Sequence, residues 1–205
     1  LALVVLNSKF ITNSNTRFYN PSTGEFYNNG ALVASGLTDA NGKVEFSNLP
    51  LNIEYQIKEV AGGSNVSYKL TAPDQTAIIN INGSTITKKF YNDVVRGNLK
   101  FTKTSSTGDE DPSPMAGVVF KITSKTTGES HTITSDANGV VDTSKANIWF
   151  GAGDRVTTKG ALPYDTYIIT EEACDANQFC YDIDSKKIEV TINQDSVTPV
   201  DLGEW

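Results

Sequence analysis

The pentapeptide Tyr167-Ile168-Ile169-Thr170-Glu171 constrains this chain more than any other stretch. It reads as a β-strand with Tyr167, Ile169 and Glu171 on one face and Ile168 and Thr170 on the other. Tyrosine and isoleucine mark the first face as the core side, so the alternation carries a carboxylate inward. A buried glutamate is costly unless something pairs with it. The same arrangement occurs earlier as Tyr55-Gln56-Ile57-Lys58-Glu59. One unusual placement made twice predicts a repeated module in which the glutamate has a partner.

The rest of the chain supports the repeat. In the first half, strands are expected over Leu1 to Leu6, Ala31 to Gly36, Lys43 to Phe46, Tyr55 to Glu59, Tyr68 to Thr71, Thr76 to Ile81 and Ile86 to Asn92. Turn chemistry separates them, at Asn20-Pro21-Ser22-Thr23-Gly24 and Thr38-Asp39-Ala40-Asn41-Gly42. In the second half, Val118 to Ser124 matches Leu3 to Ser8, and Ser135 to Gly139 matches Thr38 to Gly42. Leu162-Pro163 matches Leu49-Pro50, and Tyr167 to Glu171 matches Tyr55 to Glu59. Ile188 to Ile192 and Thr198 to Trp205 supply closing strands. Such closely spaced short strands predict β-sandwiches. The chain is therefore read as all-β, with two tandem Ig-like or prealbumin-like sandwiches over residues 1–96 and 97–205. No Pro/Ser-rich linker separates them near Val95-Arg96-Gly97, which predicts closely joined modules.

The second copy has a strand the first lacks, Asn98-Leu-Lys-Phe-Thr-Lys103, ahead of Met115 to Phe120. The first strand of copy one is accordingly expected upstream of Leu1, and the chain is read as a piece of a longer protein. Copy two also has two additions, the acidic Gly108-Asp-Glu-Asp-Pro112 loop and the stretch Ser144 to Lys159. Richness in Thr, Val, Ile, Ser, Asn and Gly favours strands and turns over helices. A net charge of −7 and a pI near 4.7 argue against a nucleic-acid or anionic-membrane partner. No stretch has the length of a transmembrane helix.

These residues now carry a resemblance. A Lys-bearing strand, Ala116-Gly117-Val118-Val119-Phe120, Asp136-Ala-Asn-Gly139, Gly160-Ala-Leu-Pro163 and Tyr167-x-Ile169-x-Glu171 follow one another in order. Together they resemble the Cna-type B or SpaA-like pilin domain of Gram-positive surface adhesins. Copy one shows the same turn, Leu-Pro and Glu pattern, then Phe90-Tyr91-Asn92, which resembles the family's final-strand Phe-x-Asn. The resemblance implies an intramolecular isopeptide bond, from a Lys on the first strand to an Asn or Asp on the last, promoted by a Glu between them. Carried over by position, Lys103 is the reactive amine, Glu171 the promoter and Asp201 the acceptor. Lys100 competes with Lys103. Asn193, Asp195 and a residue beyond Trp205 compete with Asp201. In copy one Glu59 and Asn92 match promoter and acceptor, and their Lys falls before Leu1.

The residue types suit the chemistry. Burial disfavours charge on both an amine and a carboxyl. A neutral amine is a nucleophile, and a protonated Glu can polarise the acceptor carbonyl and shuttle protons. The fold supplies the effective concentration. The bond would form once, losing water or ammonia, so the chain is not read as an enzyme and needs no cofactor.

Other signals have structural readings. Cys174 and Cys180 are expected to form a disulfide, as cysteines of an extracellular domain commonly do. His131 is the single histidine, so a zinc site on this pair lacks ligands. The Asp109-Glu110-Asp111 spacing is not that of an EF-hand, and no metal is expected. Trp149-Phe150 is read as part of a packed insertion. The whole points to a stalk or spacer of an extracellular, cell-wall-anchored adhesin or pilin. Its partners would be neighbouring modules of the same surface protein, with no membrane insertion in this piece. The alternative is a module that binds a host extracellular protein or a glycan through the Ser144 to Lys159 insertion.

Overall fold

A computed structural model describes residues 2–6, 18–20, 24–28, 30–61, 65–105, 112–178, 183 and 186–205. No α-helix occurs among them. Chain contacts divide the protein into two compact units. The first comprises Leu1–Val66 with Leu70–Asp93, the second Ser67–Lys69 with Val94–Trp205.

The strands of the first unit are β1 (Ala2–Leu6), β2 (Phe18–Asn20), β3 (Glu25–Tyr27), β4 (Leu32–Ser35) and β5 (Glu54–Lys58). A short β6 (Tyr68–Lys69) belongs to the second unit, β7 (Gln75–Ile78) returns to the first, and β8 (Asp93–Val94) spans the boundary. One four-stranded sheet, in the order β4-β1-β5-β7, dominates the first unit. Tyr27, Ile53 and Tyr55 are its buried centre, with Val33, Phe46, Leu49 and Ile57 packed around them.

The second unit is a sandwich. Its strands are β9 (Arg96–Thr102), β10 (Thr104–Ser105), β11 (Ser113–Pro114), β12 (Val119–Ser124), β13 (Ser130–Thr134), β14 (Val140–Asp142), β15 (Leu162–Pro163), β16 (Asp165–Glu172), β17 (Lys187–Ile192) and β18 (Pro199–Glu204). One sheet runs β13-β12-β16-β17, and the other is β14-β9-β15 with β18 paired parallel to β9. Alternate residues of each sheet meet between them. Leu99 and Phe101 of β9 face Phe120 and Ile122 of β12, with Tyr167 and Ile169 of β16, in one buried cluster.

The repeat is visible in hydrogen bonds. Asp39 Oδ1 accepts from Asn41 N and Lys43 N, both at 2.9 Å, and Asp136 Oδ1 accepts from Asn138 N and Val140 N at the same distances. Each turn closes on a glycine in the left-handed region, Gly42 and Gly139, both at φ 73°. The tyrosines also repeat: Tyr55 donates to Pro50 O and Tyr167 to Pro163 O, each at 2.8 Å. Burial pushes both phenols above their ordinary range. This accounts for the Leu-Pro ahead of each Tyr strand, a role for the motif that its sequence did not disclose. The order β4-β1-β5-β7 is also that of β13-β12-β16-β17.

Two expectations are corrected. First, Leu3 pairs with Ile57, and Ile122 pairs with Ile169. Since Ile57 and Ile169 are equivalent, Leu3 corresponds to Ile122 rather than to Val118. A slip by an even number of residues leaves the same faces in and out, so period-two patterning could not detect it. Second, Lys43 to Phe46 and Ile86 to Asn92 are not strands. Their counterparts in the second unit, β14 and β18, both pair with β9. The first unit has no equivalent of β9 among the described residues, so these segments have no ladder to join. Besides the small β2-β3 hairpin, the described part of the first unit shows one sheet of a sandwich.

Gly139 and Gly160 stand where two backbones touch. A Cβ on Gly139 would lie 2.4 Å from Lys103 O, and one on Gly160 would lie 2.4 Å from Gly97 N. Gly139 also accepts Lys103 N at 2.8 Å. We expect Gly139→Ala to cost about 1–3 kcal/mol, since it combines a positive φ with a clash against backbone. Urea unfolding measures it, with Gly128→Ala, strained but in open space, as the smaller control.

Asp165, at the head of β16, yields a pH prediction. Burial raises its pKa, but hydrogen bonds from Ser124, Thr126 and Thr166 outweigh it and the net direction is down. A carboxyl depressed in the fold stabilises above its unfolded pKa, and that stability is lost as pH falls through the folded value. Asp165→Asn should therefore be less stable than the parent at neutral pH, with the gap closing in acid. Thermal midpoints across pH measure this.

Candidate functional site

The ends of β9 and β16 bring Lys103 to Glu171. Lys103 follows β9, where the chain turns into β10, and is fixed by Lys103 N to Gly139 O at 2.8 Å and Met115 N to Lys103 O at 2.9 Å. Glu171 lies on the inward face of β16, opposite Phe120 of β12. Lys103 Nζ donates to Glu171 Oε2 at 3.0 Å, and the two residues are 9% and 8% exposed. The pair spans the two sheets of the sandwich. Aromatic rings pack nearby, with Phe101 and Phe120 centroids 4.8 Å apart and Phe120 and Trp205 centroids 5.0 Å apart.

The second carboxylate oxygen is also taken. Asn177 Nδ2 donates to Glu171 Oε1 at 2.8 Å and to Glu172 O at 2.9 Å, while Asn177 Oδ1 accepts Cys174 N at 2.8 Å. Nothing in the composition of Asp175-Ala176-Asn177 marks Asn177 as part of a site. Its one legible signal is the position, six residues after a core-facing glutamate.

Asp201 is not brought to this pair. It sits on β18 opposite Lys100, and Lys100 Nζ lies 2.8 Å from Asp201 Oδ2 on the exposed face. Adjacent residues on parallel neighbours share a face, so Asp201 follows Lys100 outward while Leu99 and Phe101 point inward. Hydrogen bonds from Lys100 and from Gly203 N hold the Asp201 carboxyl below its ordinary range. It is thus an ionised surface group, the reverse of what an acceptor needs. Lys100, the competing amine, is excluded from the core by the same pairing. Asp195 is engaged elsewhere, with Arg96 N and Lys69 Nζ.

Trp205 occupies the place beside Lys103. Trp205 N donates to Thr102 O at 2.9 Å and Thr104 N to Trp205 O at 3.3 Å, which makes Trp205 the register partner of Lys103.

In the first unit the structure brings Asn92 to Glu59, with Asn92 Nδ2 to Glu59 Oε2 at 2.6 Å. The Oδ1 of Asn92 is buried and has no hydrogen-bond partner among the described residues. A buried orphaned carbonyl is costly, so this amide is held where a further donor would be satisfied.

The remaining candidates have structural places. Cys174 lies 3.6 Å from Gly117 O, and Cys180 falls outside the described residues, as do Asp109, Glu110 and Asp111. Phe150 is buried against Tyr167, and the Arg96 guanidinium covers the Trp149 ring at 3.5 Å. Arg96 also donates to Gly160 O, Phe150 O and Ala161 O, at 2.7–2.8 Å. The insertion is thus tied into the fold. His131 is engaged by Glu129 at 3.0 Å. No metal-ligand cluster occurs among the described residues, nor any helix long and apolar enough to cross a membrane.

The buried pair gives a test that needs no cross-link. Lys103→Ala leaves Glu171 buried without its cation and should cost about 3–5 kcal/mol. Adding Glu171→Gln to that variant removes the orphaned charge and should recover about 1–3 kcal/mol. Neither variant has the amine, so urea unfolding of the two isolates the charge.

Comparison with known proteins agrees with the fold. Residues 97–204 match the family described as the SpaA prealbumin-like fold domain. No curated protein matches the chain. The Bacillus anthracis TIE protein is similar at 20% identity with a TM-score of 0.56, over 81% of this chain and 27% of that one. The chain thus spans about a quarter of that structure's length. A variant of BcpA, the major pilin subunit of Bacillus cereus, aligns at 16% identity and TM-score 0.35 over 76% of this chain and 38% of its own. GBS52, the minor pilin of Streptococcus agalactiae, aligns at 17% identity and TM-score 0.38 over 99% of this chain and 80% of its own. With more than half of its 205 residues matched by the family model, the chain belongs to the SpaA prealbumin-like fold domain family.

Proposed function

We propose that this chain is a stalk segment of a Gram-positive cell-surface pilin or adhesin, stiffened by an autocatalytic isopeptide bond from Lys103. The observation that carries this reading is the buried Lys103–Glu171 pair at 3.0 Å, between the two sheets of a SpaA-type sandwich. A proton passing from Nζ to the carboxylate leaves an amine able to attack and an acid able to polarise a carbonyl. The Glu59–Asn92 contact supports the reading, as a second promoter beside an acceptor amide. Neither needs a cofactor, and the bond forms once per molecule.

Asp201 is replaced as acceptor in this proposal. The stretch Phe90-Tyr91-Asn92 places its Asn two residues after an aromatic, and Trp205 is the aromatic beside Lys103. A chain continuing past Trp205 would carry the residue two further on to the same inward face. An Asn or Asp there is the proposed acceptor.

The position of the bond explains its use. Because β9 and β18 are parallel neighbours, a link at Lys103 would pass tension from β9 directly to the last strand. The intervening residues would carry no load. Closing a loop of about 100 residues would stabilise the fold by roughly 4–5 kcal/mol on a scale borrowed from disulfides. Packing of Trp149 and Phe150 into the unit favours this spacer role over a host-protein or glycan site on the insertion. The surface location, and neighbouring modules of the same protein as partners, follow from the same reading.

Intact mass of the full-length protein tests it. The parent should lack the mass of at least one water or ammonia, Lys103→Ala should regain one such loss, and Asp201→Ala should leave it in place. An unmodified mass in the parent protein would sink the proposal.

A further inference from the structure

The proposed cross-link has a requirement that Lys103 and Glu171 alone do not meet. A carboxylate has two equivalent oxygens, and the proton leaving Lys103 must settle on the one that faces the reacting groups. Asn177 removes the ambiguity. It is 0% exposed, and each of its polar side-chain atoms is used. Its Oδ1 accepts a backbone N–H, and its Nδ2 donates to two oxygens. Flipping the amide would set its oxygen against two acceptors and its NH2 against a donor, so only one orientation is possible. The turn that carries it is closed by Asn177 N and Gln178 N on Cys174 O, at 3.1 and 2.9 Å. The amide therefore reaches back to its own strand from a fixed base.

We propose that Asn177 is the positioning residue for this chemistry: by donating to Oε1 of Glu171, it leaves Oε2 as the oxygen that takes the proton from Lys103. The inference rests on the cross-link reading. An amide N–H keeps its hydrogen, so Oε1 stays an acceptor throughout. The Nζ–H bond facing Oε2 breaks and an O–H bond forms there, turning ammonium and carboxylate into amine and acid. The freed lone pair attacks the acceptor carbonyl carbon. The C–N bond forms and Nζ gives up a second proton; the two protons, relayed through Oε2, leave with the acceptor's oxygen as water from an Asp carboxylate, or with its nitrogen as ammonium from an Asn amide. Glu171 ends as it began. Without Asn177 the carboxylate can rotate, and Oε2 is no longer held toward Lys103.

The test follows condensation of freshly refolded full-length protein by intact mass, in the parent, Asn177→Ala and Asn177→Asp. Asn177→Ala should slow the mass loss by about a hundredfold, the lower end of what a lost contact of this kind costs. Asn177→Asp should be slow at neutral pH and recover as the medium is acidified, because a protonated Asp regains an O–H donor. On a Lys103→Ala background, where no bond can form, thermal midpoints report the purely structural cost of each change. A rate for Asn177→Ala within about twofold of the parent overturns the proposal, two- to threefold being the usual context scatter of such effects. So does tandem mass spectrometry that finds Asn177 itself joined to Lys103. If the parent never condenses, the cross-link reading fails, and Asn177 is judged separately. The coupling between Lys103 and Glu171, from a double-mutant cycle in unfolding, should then fall by more than half in the Asn177→Ala background. An unchanged coupling overturns the positioning role.

Discussion

An ammonium and a carboxylate taken out of water together are tolerable only when each is paired and the remaining polar atoms are satisfied. The second unit meets that condition with one carboxylate and two donors. Lys103 arrives from the β9 sheet and Asn177 from the turn after β16, and each takes one oxygen of Glu171. The surrounding architecture serves to bring these groups together. β9 must end beside Gly139, where absence of a side chain lets Lys103 approach. β16 must keep its register with β12, so that Glu171 follows Tyr167 and Ile169 inward.

β9 also explains the contrast between the units. It is the strand on which β14, β15 and β18 all hang. With it, the second sheet closes over the core. Without an equivalent among the described residues, the first unit shows one face of a sandwich besides its β2-β3 hairpin, and the segments that match β14 and β18 in sequence join no strand ladder. A strand is defined by what it bonds to, and the same pattern of residues becomes strand or coil according to whether a neighbour is present. The Glu59–Asn92 contact is made all the same, by residues that lie just outside the strands.

Much of this was legible in the residues. The inward glutamate, its repetition and the Asp-x-Asn-Gly turns read correctly as to face and order. The acceptor did not. Asp201 lies in a plausible last strand, but face depends on register, and β18 takes its register from β9 with a bulge between Asp201 and Glu204. Nor did the sequence reveal the phenol-to-carbonyl bonds of Tyr55 and Tyr167, because hydroxyl partners depend on where the preceding loop returns.

The sequence by itself determined the all-β class, the duplicated turn and the alternation that sends Glu171 and Glu59 toward the core. Those are local properties, set by propensity, by glycine at positive φ and by a side-chain period of two. Tertiary structure alone decided that Lys103 and not Lys100 meets Glu171, that Asp201 faces water, and that Asn177 closes the carboxylate from the other side. These are matters of register and of approach between segments distant in the chain. A one-residue change of register exchanges inside for outside, and a slip by an even number of residues leaves the pattern of faces unchanged.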